Sequence, residues 1–127
     1  MIAPNRFSRV WAYAEPADLR KGFDGLHGLV VRELGRDPLC GDLYLFLNRR
    51  RTQCKVFAFD GTGFVVYAKR LEQGRFAPIW ERARGRRSIA LATSELALFL
   101  DGSEYVGRRC LVPEQVVPST IEQRSSV

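Results

Sequence analysis

Between residues 18 and 34 apolar side chains recur at helical spacing. Leu19, Phe23, Leu26, Val30 and Leu34 stand at i, i+4, i+7, i+11 and i+15, which stacks them in one narrow sector of a helix that faces a core. Asp18, or a residue just before it, is placed to cap this helix, and Gly35 is placed to stop it. Gly22, Gly25 and Gly28 recur every third residue inside it, although each interior glycine costs on the order of 1 kcal/mol relative to alanine. The row reads either as close packing on a sheet or partner subunit, or as a place where a partner approaches the backbone beside Asp18-Leu19-Arg20-Lys21. Packing is the simpler account, with Arg20 and Lys21 retained as contacts.

Outside that stretch the pattern changes to β-favouring runs. Phe7 to Tyr13 (FSRVWAY) predicts a first strand, which Pro16 ends. Three more runs follow in quick succession at Leu43 to Leu47, Cys54 to Phe59 and Phe64 to Ala68, the order of a β-meander. The last two are joined by Asp60-Gly61-Thr62-Gly63, a hairpin signal because glycine supplies the positive φ of tight turns. The first two are joined by Asn48 to Gln53, a loop with three consecutive arginines. Ser88 to Leu91 predicts a short strand, and Thr93 or Ser94 is placed to cap an almost wholly apolar helix over Glu95 to Leu100 that stops at Asp101-Gly102.

The expected architecture is one α+β domain over residues 1–105. A mostly antiparallel β-meander sheet has the glycine-containing N-terminal helix and the short C-terminal helix packed on it. Residues 106–127 hold two prolines and several serines without a strong period and predict a loosely ordered tail.

Composition narrows the chemistry. A chain of 127 residues, 46% hydrophobic and 27% charged, is the size and make-up of one globular domain. It has no run near the roughly 18 apolar residues of a membrane span, and MIAPNRFSRV lacks the apolar core of a signal peptide. These features predict a cytoplasmic protein without a membrane partner. Cys40, Cys54 and Cys110 are odd in number and form no CxxC pair, and His27 is the single histidine, so neither a disulfide framework nor a metal site is expected. Asp18, Asp24, Asp60, Glu72 and Asp101 are dispersed, and none of the Ser or Cys residues is placed to serve as a nucleophile for His27. The expectation is a protein without a catalytic site, metal or cofactor.

The net charge is +6, and its distribution says more than its total. Residues 49 to 87 carry eleven Lys or Arg against three acids, a net +8, and the remainder of the chain is at −2. Seventeen of the twenty bases are arginine, the side chain whose planar fork grips phosphate bidentately, although GC-rich coding would enrich arginine as well. In a meander the first loop and the end of the third strand share one end of the sheet. Arg49, Arg50, Arg51, Lys55, Lys69, Arg70 and Arg75 therefore form the candidate phosphate-binding set, with Arg20 and Lys21 retained as further contacts. The bland alternative is a solvated rim of unconnected charges. Tyr44, Phe46, Phe57, Phe59, Phe64 and Tyr67 supply either a base-stacking face or, more simply, the core of a sheet with helices on one side.

Four segments together carry a family resemblance. LRKGFDGL (19 to 26), LGRDPLCGDLYLF (34 to 46), KVFAFDGTGFVVYAKRLEQGRF (55 to 76) and LALFLDG (96 to 102) resemble the accessory TnpB, or Orf2-like, proteins of insertion-sequence-66-type bacterial transposable elements, over about residues 7 to 105. Phe59 stands where members usually carry tryptophan before the Asp-Gly turn. The resemblance implies a non-catalytic partner in DNA transposition, encoded beside a separate transposase. It implies DNA at the element ends, the transposase or other element-encoded proteins as partners, leaves a homo-oligomer open, and carries no agreed active site. Two readings follow: an accessory protein that binds DNA phosphates through its arginine-rich surface, and an adaptor for the transposase complex that does not touch DNA.

Overall fold

The computed structural model describes residues 9–102; Phe7, Cys110 and the expected tail lie outside them. β1 (Val10–Tyr13), β2 (Leu43–Leu47), β3 (Gln53–Phe59), β4 (Phe64–Arg70) and β5 (Ser88–Leu91) form one sheet in the order β4-β3-β2-β1-β5. The sheet is mixed. β2, β3 and β4 pair antiparallel in succession, β1 runs parallel to β2 with Val10 opposite Leu43, and β1 pairs antiparallel with β5 with Tyr13 opposite Ser88. The parallel pair exists because the chain between β1 and β2 crosses over the sheet, as parallel neighbours require.

That crossover departs from the single long helix that the spacing predicts. Residues 17–22 stay outside any helix: the Ala17 amide donates to the Leu47 carbonyl at 2.9 Å, and the Asp18 carboxylate accepts the Arg20 amide two residues on at 3.0 Å. Asp18 thus closes a local turn instead of capping a helix. α1 begins only at Phe23, runs to Gly28, and widens into a π-helix over Leu29–Glu33, in which the Leu34 amide reaches back five residues to the Leu29 carbonyl at 3.1 Å. Gly35, at φ +63°, ends it. With the helix starting there, Leu26 and Val30 are buried on the sheet, whereas Phe23, expected in the core, is 52% exposed.

The second helix, α2 (Thr93–Leu100), begins earlier than its apolar run. Ala92 stands at its N-cap, and the Glu95 carboxylate turns back to accept the Ala92 amide at 2.8 Å, which satisfies one of the donors a helix start leaves open.

The two helices lie on opposite faces of the sheet. Tyr13, Tyr44, Phe46 and Phe57 pack with Leu19, Leu26 and Val30 on one side. Leu43, Leu45, Leu47, Cys54 and Val56 pack with Phe76, Ile79, Leu96 and Phe99 on the other. The expectation of helices on one side is therefore corrected to a sheet covered on both. All five residues of β2 are buried, which explains why its sequence, LYLFL, is apolar without alternation. Tyr44, Phe46 and Phe57 are fully buried beneath α1 and present no face for base stacking.

The glycine row is not packed on the sheet. A Cβ on Gly22 would meet nothing within 4 Å, one on Gly25 would meet the Lys21 side chain, and one on Gly28 would meet the Arg32 guanidinium. The long side chains of Lys21 and Arg32 occupy the space that the missing methyls leave.

Candidate nucleic-acid interface

The strand registers carry the basic loops to one end of the sheet. Gln53 pairs with Arg70, the Leu71 amide donates to the Thr52 carbonyl at 2.8 Å, and the Phe76 amide donates to the Arg51 carbonyl at 2.7 Å. The Asn48–Gln53 loop and the segment from Arg70 to Phe76 are therefore bound together. The Ala17–Leu47 hydrogen bond brings Arg20 and Lys21 to the same end, because Leu47 closes β2 just before the arginine loop. Across β1, the Ala14 amide donates to the Arg87 carbonyl at 2.9 Å, so the Ala83–Arg87 loop before β5 ends there too.

The arginine loop has a built interior. The Asn48 side-chain oxygen accepts the amides of Thr52 and Gln53 at 2.9 and 3.1 Å, and the Arg51 amide donates to the Asn48 carbonyl at 3.0 Å. Arg51 adopts φ +61°, a left-handed conformation that side chains rarely take, and its guanidinium donates to the Phe76 carbonyl at 2.9 Å. The turn leaves Arg49 and Arg50 exposed.

The nine residues of the candidate set divide by what their cations touch. Arg49, Arg50, Arg70 and Arg75 are exposed, and none belongs to an ion pair among the described residues. Arg20 makes two 3.0 Å hydrogen bonds to Asp18; these bonds hold the Asp18 carboxyl down to about 2. Lys21 lies along Gly25, and its carbonyl accepts the Lys55 ammonium at 3.3 Å on the α1 face. Lys69 is on the opposite face, where its ammonium donates to the Leu100 carbonyl at 2.7 Å and satisfies the C-terminus of α2. Lys55, Lys69 and Arg51 thus spend donors on the backbone carbonyls of Lys21, Leu100 and Phe76, and four arginines remain exposed and outside any ion pair among the described residues. The acids at this end include Asp18, bound to Arg20, and the exposed Glu15, Glu72 and Asp101.

From its sequence, Arg82 to Arg87 is only a solvated basic turn. Two of its four arginines are neutralised by the fold, Arg82 by Glu95 at 3.2 Å and Arg87 by Glu33 at 2.7 Å. Arg84 and Arg86 are exposed and outside any ion pair among the described residues, and the Arg86 Nε donates to the Ala83 carbonyl at 3.2 Å, which leaves its two terminal nitrogens for a ligand. The Arg-Gly dipeptide at 84–85 is the local signal for the turn, but its place beside the other basic loops depends on the distant pairing of Tyr13 with Ser88.

Other groups offer little chemistry. Cys54 is buried, and burial pushes its thiol up to about 12. His27 rests its ring edge-on against Phe64, with centroids 5.5 Å apart. Among the described residues no group of three His, Cys, Asp or Glu is arranged to hold a metal ion, and no helix is long and apolar enough to cross a membrane.

The chain is similar in sequence to known proteins. The family described as IS66 Orf2 like protein matches residues 8–109. Two proteins of Sinorhizobium fredii are similar to the chain. Uncharacterized protein y4jC is 38% identical over 107 residues, covering 83% of this chain and 87% of its own length. Uncharacterized protein y4hO is 34% identical over 105 residues, covering 83% and 89%. No solved structure matches the chain.

Proposed function

The chain belongs to the IS66 Orf2-like family of transposition-associated accessory proteins, and from that premise we propose that it binds DNA at the ends of its element through phosphate contacts from Arg49, Arg50, Arg70 and Arg75. The observation that carries this reading is that four exposed guanidinium groups, outside any ion pair among the described residues, stand on the Asn48–Gln53 loop and on the segment from Arg70 to Phe76, which hydrogen bonds bind together at one end of the sheet. A guanidinium already engaged by a carboxylate gains little from a phosphate, whereas a solvated one releases a DNA counterion when it binds. The protein acts as a non-catalytic component that works with the transposase.

Gel shifts of the element's terminal repeats between about 50 and 200 mM salt test this. Binding weakens linearly on a log–log plot, and Arg49→Ala/Arg50→Ala lowers the slope by about 1.8, at about 0.9 per phosphate contact. Absence of binding at the lowest salt, or an unchanged slope in the double variant, overturns the reading.

An adaptor role is the second reading, favoured by the exposure of Phe23 and Val31 on the α1 and π-helical turns at 52% and 46%. It predicts that the transposase is retained by the wild-type protein and lost with Phe23→Ser/Val31→Ser, with DNA absent from the complex.

A further inference from the structure

Resting on the phosphate-contact reading, we propose that the DNA surface continues past the meander and across the whole end of the sheet to Arg84 and Arg86, and that its ligand is the backbone of a DNA duplex. Arg84 and Gly85 occupy the two centre positions of a tight turn, at φ +50° and +84°, closed by the Arg86 amide on the Ala83 carbonyl at 2.9 Å. Positive φ at both centre positions is the signature of a primed turn, in which glycine and asparagine are at home and arginine is not. Among the described residues, the non-glycine residues at positive φ are Arg51 and Arg84. Both are arginines, and both sit in the loops that the strand registers bring to this end of the sheet. At Arg51 the strained backbone serves the clasp on Phe76; at Arg84 it is strain of the kind that concentrates at functional positions.

The spacing follows from the strand order. β4 and β5 are the outer members of five neighbouring strands, so at about 4.8 Å per strand the row from Arg70 to Arg86 is roughly 19 Å wide. That width reaches across a duplex major groove of about 12 Å to the phosphates on either side. A single strand would instead call for aromatic platforms; Tyr44, Phe46 and Phe57 are sealed beneath α1, Tyr67 is half-buried on β4, and the half-buried Phe59 and Phe64 pair at the far end of β3 and β4 from the basic loops. The fold also divides the turn's cations into two pairs. Arg82 and Arg87 bind Glu95 and Glu33, while Arg84 and Arg86 meet no carboxylate among the described residues.

The test compares salt slopes for the full chain on a terminal-repeat duplex and on one of its strands alone. Arg84→Asn keeps a residue that tolerates the left-handed turn, and Arg86→Gln keeps a donor toward the Ala83 carbonyl; thermal melts check that both variants fold. The double variant lowers the duplex slope by about 1.8. Arg87→Gln removes one positive charge, as each of those substitutions does, but from a guanidinium already paired, and leaves the slope within experimental scatter. If Arg49→Ala/Arg50→Ala lowers the slope and the Arg84/Arg86 variant does not, the extension fails while the phosphate reading stands. If Arg87→Gln lowers it as much per charge, net charge rather than position explains the effect and the extension fails. Tighter binding of the single strand overturns the duplex assignment. Absence of wild-type binding removes the extension together with the reading it rests on.

Discussion

The Arg51 guanidinium donates to the Phe76 carbonyl at 2.9 Å while the Phe76 amide donates to the Arg51 carbonyl at 2.7 Å, so the two residues clasp each other by side chain and backbone. Phe76 is itself fully buried. Arg51 therefore holds its loop in place instead of offering its fork to solvent. Arg51→Ala removes a charged hydrogen bond of about 1.5–3 kcal/mol and leaves the left-handed backbone strain behind. The expected outcome is a lower urea midpoint and a thermal midpoint lower by at least several degrees. Equilibrium melts of the variant beside Arg49→Ala, which disturbs only an exposed side chain, measure the difference.

Phe76 and Phe99 stack with centroids 5.0 Å apart at 15° on the α2 side of the sheet, and both are fully buried. Phe99→Ala empties that space and is expected to cost about 3–5 kcal/mol, a large part of the roughly 5–15 kcal/mol that holds a small domain folded. Phe23→Ala removes a ring that is 52% exposed, and the expected change stays within about 0.5 kcal/mol. Urea unfolding of the two variants separates a core phenylalanine from one that has left the core.

The glycines of α1 are not equivalent. An added methyl on Gly28 meets the far end of a flexible side chain, the Arg32 guanidinium at 2.6 Å, which can swing away. Gly28→Ala is expected to stabilise the protein by about 0.4–1 kcal/mol through the unfolded chain's lost freedom. The same methyl on Gly25 falls 2.5 Å from the Lys21 Cβ, an atom fixed to the backbone. Gly25→Ala is therefore expected to destabilise and to shift the segment that meets Lys55. Thermal midpoints moving in opposite directions are the diagnostic result.

Two titrations bracket the stable pH range. Hydrogen bonds from Arg20 hold the Asp18 carboxyl down to about 2 in the folded protein, against about 3.9 when unfolded. Its contribution is present above about pH 4 and disappears as pH falls from 4 through 2; because the pair is exposed, added salt shrinks it. At the other extreme burial pushes the Cys54 thiol up to about 12, against about 8.5 unfolded. Its contribution is complete below about pH 8.5 and fades as pH rises toward 12. Asp18→Asn makes the acid limb of a stability–pH curve shallower, with Asp60, held down by the Thr62 and Gly63 amides, keeping part of it; Cys54→Ala makes the alkaline limb shallower, with Tyr44 and Tyr13, both pushed up by burial, keeping part of it. Iodoacetamide at about pH 8 is expected to label the exposed Cys40 and spare Cys54 until the protein is unfolded.

Some of the candidate site is legible before folding. The arginine run at 49–51 announces itself, and a meander order puts the end of β4 beside it, as the pairing of Gln53 with Arg70 does. What a residue's charge is used for is less legible. Lys55, Lys69 and Arg51 look like Arg49 and Arg50 in sequence, but their donors are taken by the carbonyls of Lys21, Leu100 and Phe76, residues 34, 31 and 25 positions away. The helical stripe misleads at its start for a related reason. Its period is correct at Leu26 and Val30, but Leu19 is buried from a turn, because the Ala17 amide bonds to Leu47 and the Asp18 carboxylate closes back on Arg20.

The sequence by itself determined the β-rich elements, the glycine turn between β3 and β4, the excess of arginine over residues 49–87 and the family kinship. These rest on side-chain type and short spacing, and nearest-neighbour sterics and hydrogen bonding act over that range. Only the tertiary structure decided that β1 lies between β2 and β5, that both faces of the sheet are covered, and that Arg84 and Arg86 stand at the same end as Arg49 and Arg50. Those outcomes depend on which strand edges meet and which carbonyls capture the long cationic side chains. Pairing between residues many tens of positions apart settles them, and no local pattern encodes it.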